Sequence, residues 1–102
     1  MCGVSGVFHF NNTRKTDEAV VKKMTDTLIH RGPDDGGVYI SPDKKVGLGN
    51  RRLKIIDLSP AGHMPMSASR SNSKFQNSNS KHDVWITFNG EIYNFQELKA
   101  DL

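Results

Sequence analysis

Short apolar runs separated by turn-forming residues make up most of the chain, and they limit it to a fold with several short strands. Strands are predicted at residues 3–10, 38–40, 46–48, 53–56 and 84–88, with Asn, Gly, Pro or Ser at their ends. In the first of them, alternation places Val4, Phe8 and Phe10 on one face and Val7 on the other.

Two helices are predicted beside these strands. The first begins after Thr16, a good N-cap that acidic residues follow, and it ends at Gly32-Pro33. Asn94 and Glu97 have the spacing of a capping box and predict the start of a second helix. The apolar face of the first helix is predicted to contain four residues with helical spacing: Val20, Met24, Thr27 and Leu28.

The length and the residue usage exclude several classes of protein. The 102 residues suit one small domain, and 35% hydrophobic with 25% charged residues is an ordinary globular composition. One cysteine excludes an internal disulfide, and no apolar run approaches the ~20 residues that span a bilayer. Without the pattern of a signal peptide at the N-terminus, the sequence predicts a cytoplasmic protein with no membrane partner.

The net charge of +3 does not predict a nucleic-acid partner. Basic residues occur as scattered pairs that acidic residues interrupt, and few aromatic residues lie among them. The segment from residue 67 to 82 has a different composition, because residues 67–80 contain six Ser and three Asn. Such a segment buries too little apolar surface to offset the entropy lost on ordering, so a mobile loop between two strands is predicted there.

Cys2 is a candidate nucleophile because of its position. Removal of Met1 before a small residue would leave a cysteine with a free α-amine, whose unperturbed pKa of about 7.7–8.0 lies near the value of about 8.5 for a thiol. The amine can then take the thiol proton through a water molecule. Position 2 alone is also compatible with a cysteine of no catalytic role.

Asn89 and Gly90 follow an apolar run, where Asn-Gly is the commonest signal of a hairpin turn. The functional alternative is an oxyanion hole, in which the Asn89 amide and the Gly90 N–H point at one developing negative charge. Strand alternation places Arg51 and Arg52 on opposite faces, so one of them is predicted to point inward and to need a carboxylate partner, either from the protein or from a ligand.

Two further groups of polar residues have structural interpretations. Arg31 precedes a Gly-rich break and is a candidate cap for the C-terminus of the first helix. The four histidines lack the spacing of a metal site, and no metal ligand is predicted.

Five of these segments occur together in one order. Residues 1–8 (MCGVSGVF), 30–35 (HRGPDD), 52–58 (RLKIIDL), 62–66 (GHMPM) and 88–94 (FNGEIYN) resemble the class II glutamine amidotransferase domain of asparagine synthetases. The resemblance implies an α+β fold of the N-terminal-nucleophile hydrolase type, with antiparallel sheets sandwiched by helices. It also implies that glutamine is hydrolysed to glutamate and ammonia.

The resemblance assigns a role to each residue of the site. Cys2 attacks the glutamine carboxamide and forms a thioester, while Asn89 and Gly90 form the oxyanion hole. Arg52 holds the substrate α-carboxylate. The rest of the glutamine pocket is implied to be Glu91 together with the backbone of Leu53, Lys54, Ile55 and Ile56.

The family also implies what residues 1–102 lack. They correspond to the N-terminal part of the glutaminase domain, truncated before its later strands and before an Asp that binds the substrate α-amine. The synthetase domain, which uses ATP and Mg to convert aspartate to asparagine, is absent, so no cofactor is expected in this chain. A homodimer of the longer protein is implied, and the chain alone is not expected to reach family-like activity.

Two departures and two alternatives accompany this interpretation. Asn50 and Met64 stand where the family usually has His and Gln, and neither position is a nucleophile or an oxyanion donor. One alternative is a non-catalytic remnant or interaction module. The other is the amidotransferase half of another class II enzyme.

Overall fold

The computed structural model describes residues 2–68 and 84–102, and in these ranges the chain forms two antiparallel sheets and two α-helices. A short 3-10 turn lies at Pro60–Gly62. The strands are β1 (Gly3–Phe8), β2 (Asp35–Ile40), β3 (Val46–Arg52), β4 (Met66–Ala68) and β5 (Val84–Ile86), and the helices are α1 (Glu18–Asp26) and α2 (Phe95–Asp101).

The larger sheet has the strand order β1-β3-β2, with β3 in the centre and antiparallel to both neighbours. Its register pairs Gly3 of β1 with Arg51 of β3 at one end of the ladder. Cys2 therefore stands at the end of the sheet from which β3 continues into residues 53–59.

Helix α1 packs on the face of this sheet that glycines form. A Cβ atom on Gly47 would lie 2.6 Å from Val21 Cγ2, and one on Gly3 would lie 2.8 Å from Leu28 Cβ. Val21 is fully buried and Thr25 is 2% exposed, so these two residues form the centre of the contact. The absence of side chains at Gly3 and Gly47 allows the helix to approach this closely.

The smaller sheet, β4 paired with β5, packs on the opposite face of the larger one. Tyr39 of β2 stacks on Trp85 of β5 with ring centroids 3.9 Å apart and planes 15° apart. Tyr39 pairs with Leu48, and Asn50 lies two residues further on β3, so all three share this face. The α+β class with antiparallel sheets is thereby confirmed.

Helix α1 differs from the sequence prediction in its start, in its buried face and in its end, which lies at Asp26 and not at Gly32-Pro33. Asp17, not Thr16, is the N-cap, and its side chain accepts a hydrogen bond from Ala19 N at 2.9 Å. Val20 is 50% exposed, because the face toward the sheet is turned to Val21 and Thr25. The apolar spacing missed this face because a threonine occupies it, where its hydroxyl donates to Val21 O at 2.7 Å.

Four other predictions about elements need correction. Residues 53–56 are not a strand, since β3 ends at Arg52, and β1 ends at Phe8 rather than at residue 10. Residues 67 and 68 of the predicted loop belong to β4, whereas 69–82 lie outside the described residues. The predicted second helix is α2, but Asn94 makes no side-chain capping bond. Neither helix of the described residues has the length and apolar character needed to cross a membrane.

Candidate active site

Cys2 is held at both its thiol and its backbone. Leu53 N donates to Cys2 Sγ at 3.3 Å, and Sγ lies 3.8 Å from Leu53 O. The Arg31 side chain does not cap α1 but donates from Nε to Cys2 O at 3.3 Å. The thiol is half-buried at the point where β3 ends, so the segment after β3 fixes the orientation of Cys2.

Arg52 is the arginine that points inward, with 8% of its surface exposed. Its Nη1 donates to Ser59 O at 2.8 Å, and its Nη2 donates to Asp57 O. The Asp57 carboxylate lies 3.9 Å from Nη2 and is the carboxylate partner expected of an inward arginine. A Cβ on Gly62 would come within 2.6 Å of the guanidinium carbon, so only glycine leaves room for Arg52 there.

The Asp57 side chain is itself fixed by Ser59. Hydrogen bonds from the Ser59 side chain and backbone hold the pKa of the Asp57 carboxyl below its usual value, with smaller contributions from the charges of Arg52 and Lys54. Asp57 therefore stays ionised beside the guanidinium. The loop of residues 57–59 is folded around Arg52 rather than lying free in solution.

The segment that contains Asn89 and Gly90 is not a hairpin, because β5 leads through a turn into α2 and no strand follows it among the described residues. Gly90 has a φ of +156°, and a Cβ atom there would lie 2.9 Å from the Phe88 ring. Side chains from β3 reach this segment: Asn50 Nδ2 donates to Thr87 Oγ1 at 3.1 Å and to Phe88 O at 3.4 Å.

These segments line an open cavity of about 430 Å³. Three stretches of chain that are distant in sequence meet in it, namely residue 2, residues 50–64 and residues 88–93. The described structure brings together eight of the nine residues that the sequence assigned to the site: Cys2, Arg52, Leu53, Ile55, Ile56, Asn89, Gly90 and Glu91.

Lys54 is the assigned residue that does not line the cavity. Its backbone N–H instead donates to Asp34 Oδ2 at 2.9 Å. The sequence assignment in turn omitted several residues of the wall, namely Asn50, Asp57, Gly62, Met64, Phe88 and Tyr93. The same strand parity that placed Arg52 would have placed Asn50 on the cavity side.

The segment 31–37 braces the site from outside the cavity. Arg51 Nε donates to Gly32 O at 2.8 Å, and His63 Nδ1 lies 2.8 Å from Asp35 Oδ2. Burial raises the pKa of Asp35, but hydrogen bonds from His63 and Gly36 N–H and the charge of His63 outweigh it and leave the pKa below its usual value. The pair links β2 to the loop that approaches Arg52. No cluster of metal-ligating side chains exists among residues 2–68 and 84–102.

The family model described as "Glutamine amidotransferase domain" matches residues 1–102, which is the whole chain. The chain belongs to the glutamine amidotransferase domain family.

Several curated relatives of this amidotransferase domain are glutamine-hydrolyzing asparagine synthetases. Asparagine synthetase 1 of Bacillus subtilis is 39% identical over 104 residues, covering 100% of this chain and 14% of that protein. Asparagine synthetase B of Escherichia coli is 35% identical over 105 residues, covering 99% of this chain and 16% of that protein. An amidase of Gibberella zeae, chry2, is 34% identical over 115 residues, covering 100% of this chain and 15% of that protein. No solved structure matches the chain.

Proposed function

We propose that this amidotransferase domain hydrolyses the side-chain amide of glutamine to glutamate and ammonia. The observation that supports the proposal is the shared cavity, which Cys2, Arg52, Asn89 and Gly90 line together although they come from three separate segments. A nucleophile, a carboxylate-binding cation and a pair of amide donors are the groups that hydrolysis of an amino-acid amide requires.

Cys2 is proposed as the nucleophile. After loss of Met1, the free α-amine takes the thiol proton, and sulfur attacks the carboxamide carbon while the carbonyl electrons move to oxygen. The C–N bond then breaks, the nitrogen leaves as ammonia with the proton, and a thioester remains. Water hydrolyses the thioester to glutamate. The contact with Leu53 N and the bond from Arg31 to Cys2 O orient the residue for this attack.

Asn89 and Gly90 are proposed to bind the oxyanion, with the Asn89 amide and the Gly90 N–H as donors, because both residues line the cavity that Cys2 also lines. Removal of one such donor costs about 2.7–4 kcal/mol of transition-state stabilisation. Their effect is specific to the transition state, so their loss lowers kcat more than it changes KM.

Arg52 is proposed to bind the α-carboxylate of glutamine, with Glu91 and the backbone of residues 53–56 completing the pocket. The bonds to Ser59 and Asp57 fix the plane of the guanidinium, whose five N–H groups exceed the two used there. A preoriented guanidinium binds a carboxylate with little further loss of side-chain entropy. A charge-assisted contact of this kind contributes about 1.5–3 kcal/mol to binding.

The chain spans 14–16% of the length of the two synthetases compared above, so the activity of a longer protein is part of the proposal. We infer that residues 1–102 are the N-terminal part of a hydrolase sandwich of the N-terminal-nucleophile type. In the longer protein, a synthetase domain in cis would use ATP and Mg and the released ammonia to convert aspartate to asparagine. A cytoplasmic homodimer is proposed for that protein.

Cys2→Ala tests the proposal in the longest form of the protein that its gene encodes. Glutamine-dependent release of ammonia should be abolished, while synthesis from free ammonia should persist. Ser5→Ala is the matched control, because Ser5 faces α1 and bonds Thr25 away from the cavity, and it should retain glutaminase activity. Undiminished activity of Cys2→Ala, or an intact mass that retains Met1 in active enzyme, would contradict the mechanism.

A further inference from the structure

We propose that Asn50 is a positioning residue that holds the segment of residues 87–90 in place at the cavity, and thereby sets the rate of the chemical step. The inference rests on the proposed function, in which Asn89 and Gly90 bind the oxyanion. Asn50 lies on the central strand β3 and is 1% exposed. It touches neither the proposed nucleophile nor the oxyanion donors in the bonds described, so it acts through the neighbouring residues.

Among the described residues, the side-chain hydrogen bonds of Asn50 lead to the segment that precedes the oxyanion donors. Its Nδ2 donates to Thr87 Oγ1 at 3.1 Å and to Phe88 O at 3.4 Å. Thr87 Oγ1 in turn donates to Gly49 O at 3.2 Å, which ties the same segment to β3 a second time. A buried amide loses free energy unless such bonds are made, so this geometry is strongly specified.

The segment that Asn50 holds has few other anchors. Residues 88–93 are exposed, and β5 before them is a three-residue strand that pairs with an equally short β4. In the described part of the chain, the bonds of Asn50 and Thr87 are the side-chain hydrogen bonds that join this segment to the larger sheet. The position of Asn89 relative to Cys2 therefore depends on them.

An oxyanion hole is sensitive to position. Its donors act only when they lie about 2.7–3.1 Å from the developing negative charge, and a displacement of about 1 Å costs on the order of a hundredfold in rate. Of the proposed glutamine pocket only Glu91 adjoins this segment, whereas Arg52 and the backbone of residues 53–56 are held by other contacts. We call the hydrogen bonds from Asn50 to Thr87 and Phe88 the tether. Its loss should therefore lower kcat and leave KM for glutamine nearly unchanged.

Substitutions at position 50 can separate the effect of its hydrogen-bond donor from the effect of its side-chain shape. Leucine has nearly the shape of asparagine but offers no donor, and histidine places Nδ1 at the same bond distance from Cβ as Asn50 Nδ2. The larger ring of histidine can extend into the cavity of about 430 Å³ that Asn50 lines. Asn50→His should therefore keep the tether and Asn50→Leu should lose it.

The experiment compares Asn50→Leu, Asn50→His, Thr87→Val and the Asn50→Leu/Thr87→Val pair in the longest protein that the gene encodes. Asn50→Leu should lower kcat at least tenfold with KM within twofold, and Asn50→His should stay within threefold of the natural protein. The double variant should be slowed by less than the product of the two single effects, because both changes remove the Asn50–Thr87 bond. Asn12→Leu, in the exposed turn after β1, is the matched control and should not change kcat.

A structural measurement tests, without reference to activity, whether Asn50 holds residues 87–90 in place. Amide hydrogen exchange at residues 87–90 should be at least tenfold faster in Asn50→Leu and unchanged in Asn12→Leu. If Asn50→Leu does not fold, the steady-state kinetics and the hydrogen exchange of Thr87→Val test the inference in its place. Unchanged exchange, a raised KM with normal kcat, or a loss of stability alone would each overturn the inference. Absence of glutaminase activity in the unmutated protein would instead refute the proposed function, and exchange would still decide the tether.

Discussion

Replacing Gly49 with alanine tests how α1 is held on the larger sheet. The added Cβ would meet Thr25 Oγ1, would lie 2.5 Å from Ser5 Oγ and would lie 3.1 Å from Thr25 Cβ. Overpacking of this kind costs about 1–3 kcal/mol, and loss of the 2.9 Å Ser5–Thr25 hydrogen bond adds about 1 kcal/mol. The expected destabilisation of about 2–4 kcal/mol is large beside a typical total stability of about 5–15 kcal/mol.

Gly6→Ala is the matched control, because its Cβ would meet its nearest atoms at 3.5 and 3.6 Å, which is ordinary contact. Alanine in a strand is itself more stable than glycine by about 0.5–1 kcal/mol, so this variant should be neutral or slightly stabilised. Denaturant unfolding followed by far-UV circular dichroism measures both. The reasoning is refuted if Gly49→Ala unfolds at the same denaturant concentration as Gly6→Ala.

Two other variants test the site and its brace. Arg52→Lys keeps the charge but loses the planar guanidinium, so steady-state kinetics should show KM for glutamine raised at least tenfold and kcat changed much less. Arg51 lies outside the cavity, so Arg51→Lys should leave KM unchanged. A large fall in melting temperature of Arg52→Lys with normal KM would show that Arg52 only stabilises the fold. Because the pKa of Asp35 is lowered in the fold, its contribution to stability is complete above the usual value of 3.8 and is lost as the pH falls through the lower folded value. The stability difference between the natural protein and Asp35→Asn should therefore be larger just above pH 3.8 than well below it, and a difference independent of pH over this range in urea titrations would contradict this assignment.

Much of the fold was predictable because local signals and tertiary contacts agree. Residues 46–48 form a strand, as their apolar alternation indicates, and the acidic first turn marks the start of α1. The prediction failed at residues 53–56, where Leu53 N is taken by Cys2 Sγ and Lys54 N by Asp34 Oδ2. An apolar run does not show whether its backbone bonds go to a neighbouring strand or to side chains, so a strand was predicted in error.

The residue types of the candidate site were readable from the motifs, but their arrangement was not. The sequence gives no distance between Cys2 and residue 53, and the meeting of the two depends on the pairing of β1 with β3. Asn50 was noted only as a departure from the family, because a single asparagine in a strand has no pattern of its own. Its contact with Thr87 spans 37 positions and arises only when the second sheet packs on the first.

The two faces of β3 divide the ways in which this domain can change. Positions 47 and 49 face α1 without side chains, and positions 50 and 52 face the cavity with an amide and a guanidinium. In a saturation library over this strand, folded variants should therefore retain glycine at positions 47 and 49, and altered activity should be found at positions 50 and 52. Alternate residues of this one strand are therefore under different constraints, some from the packing of α1 and the others from the chemistry of the cavity.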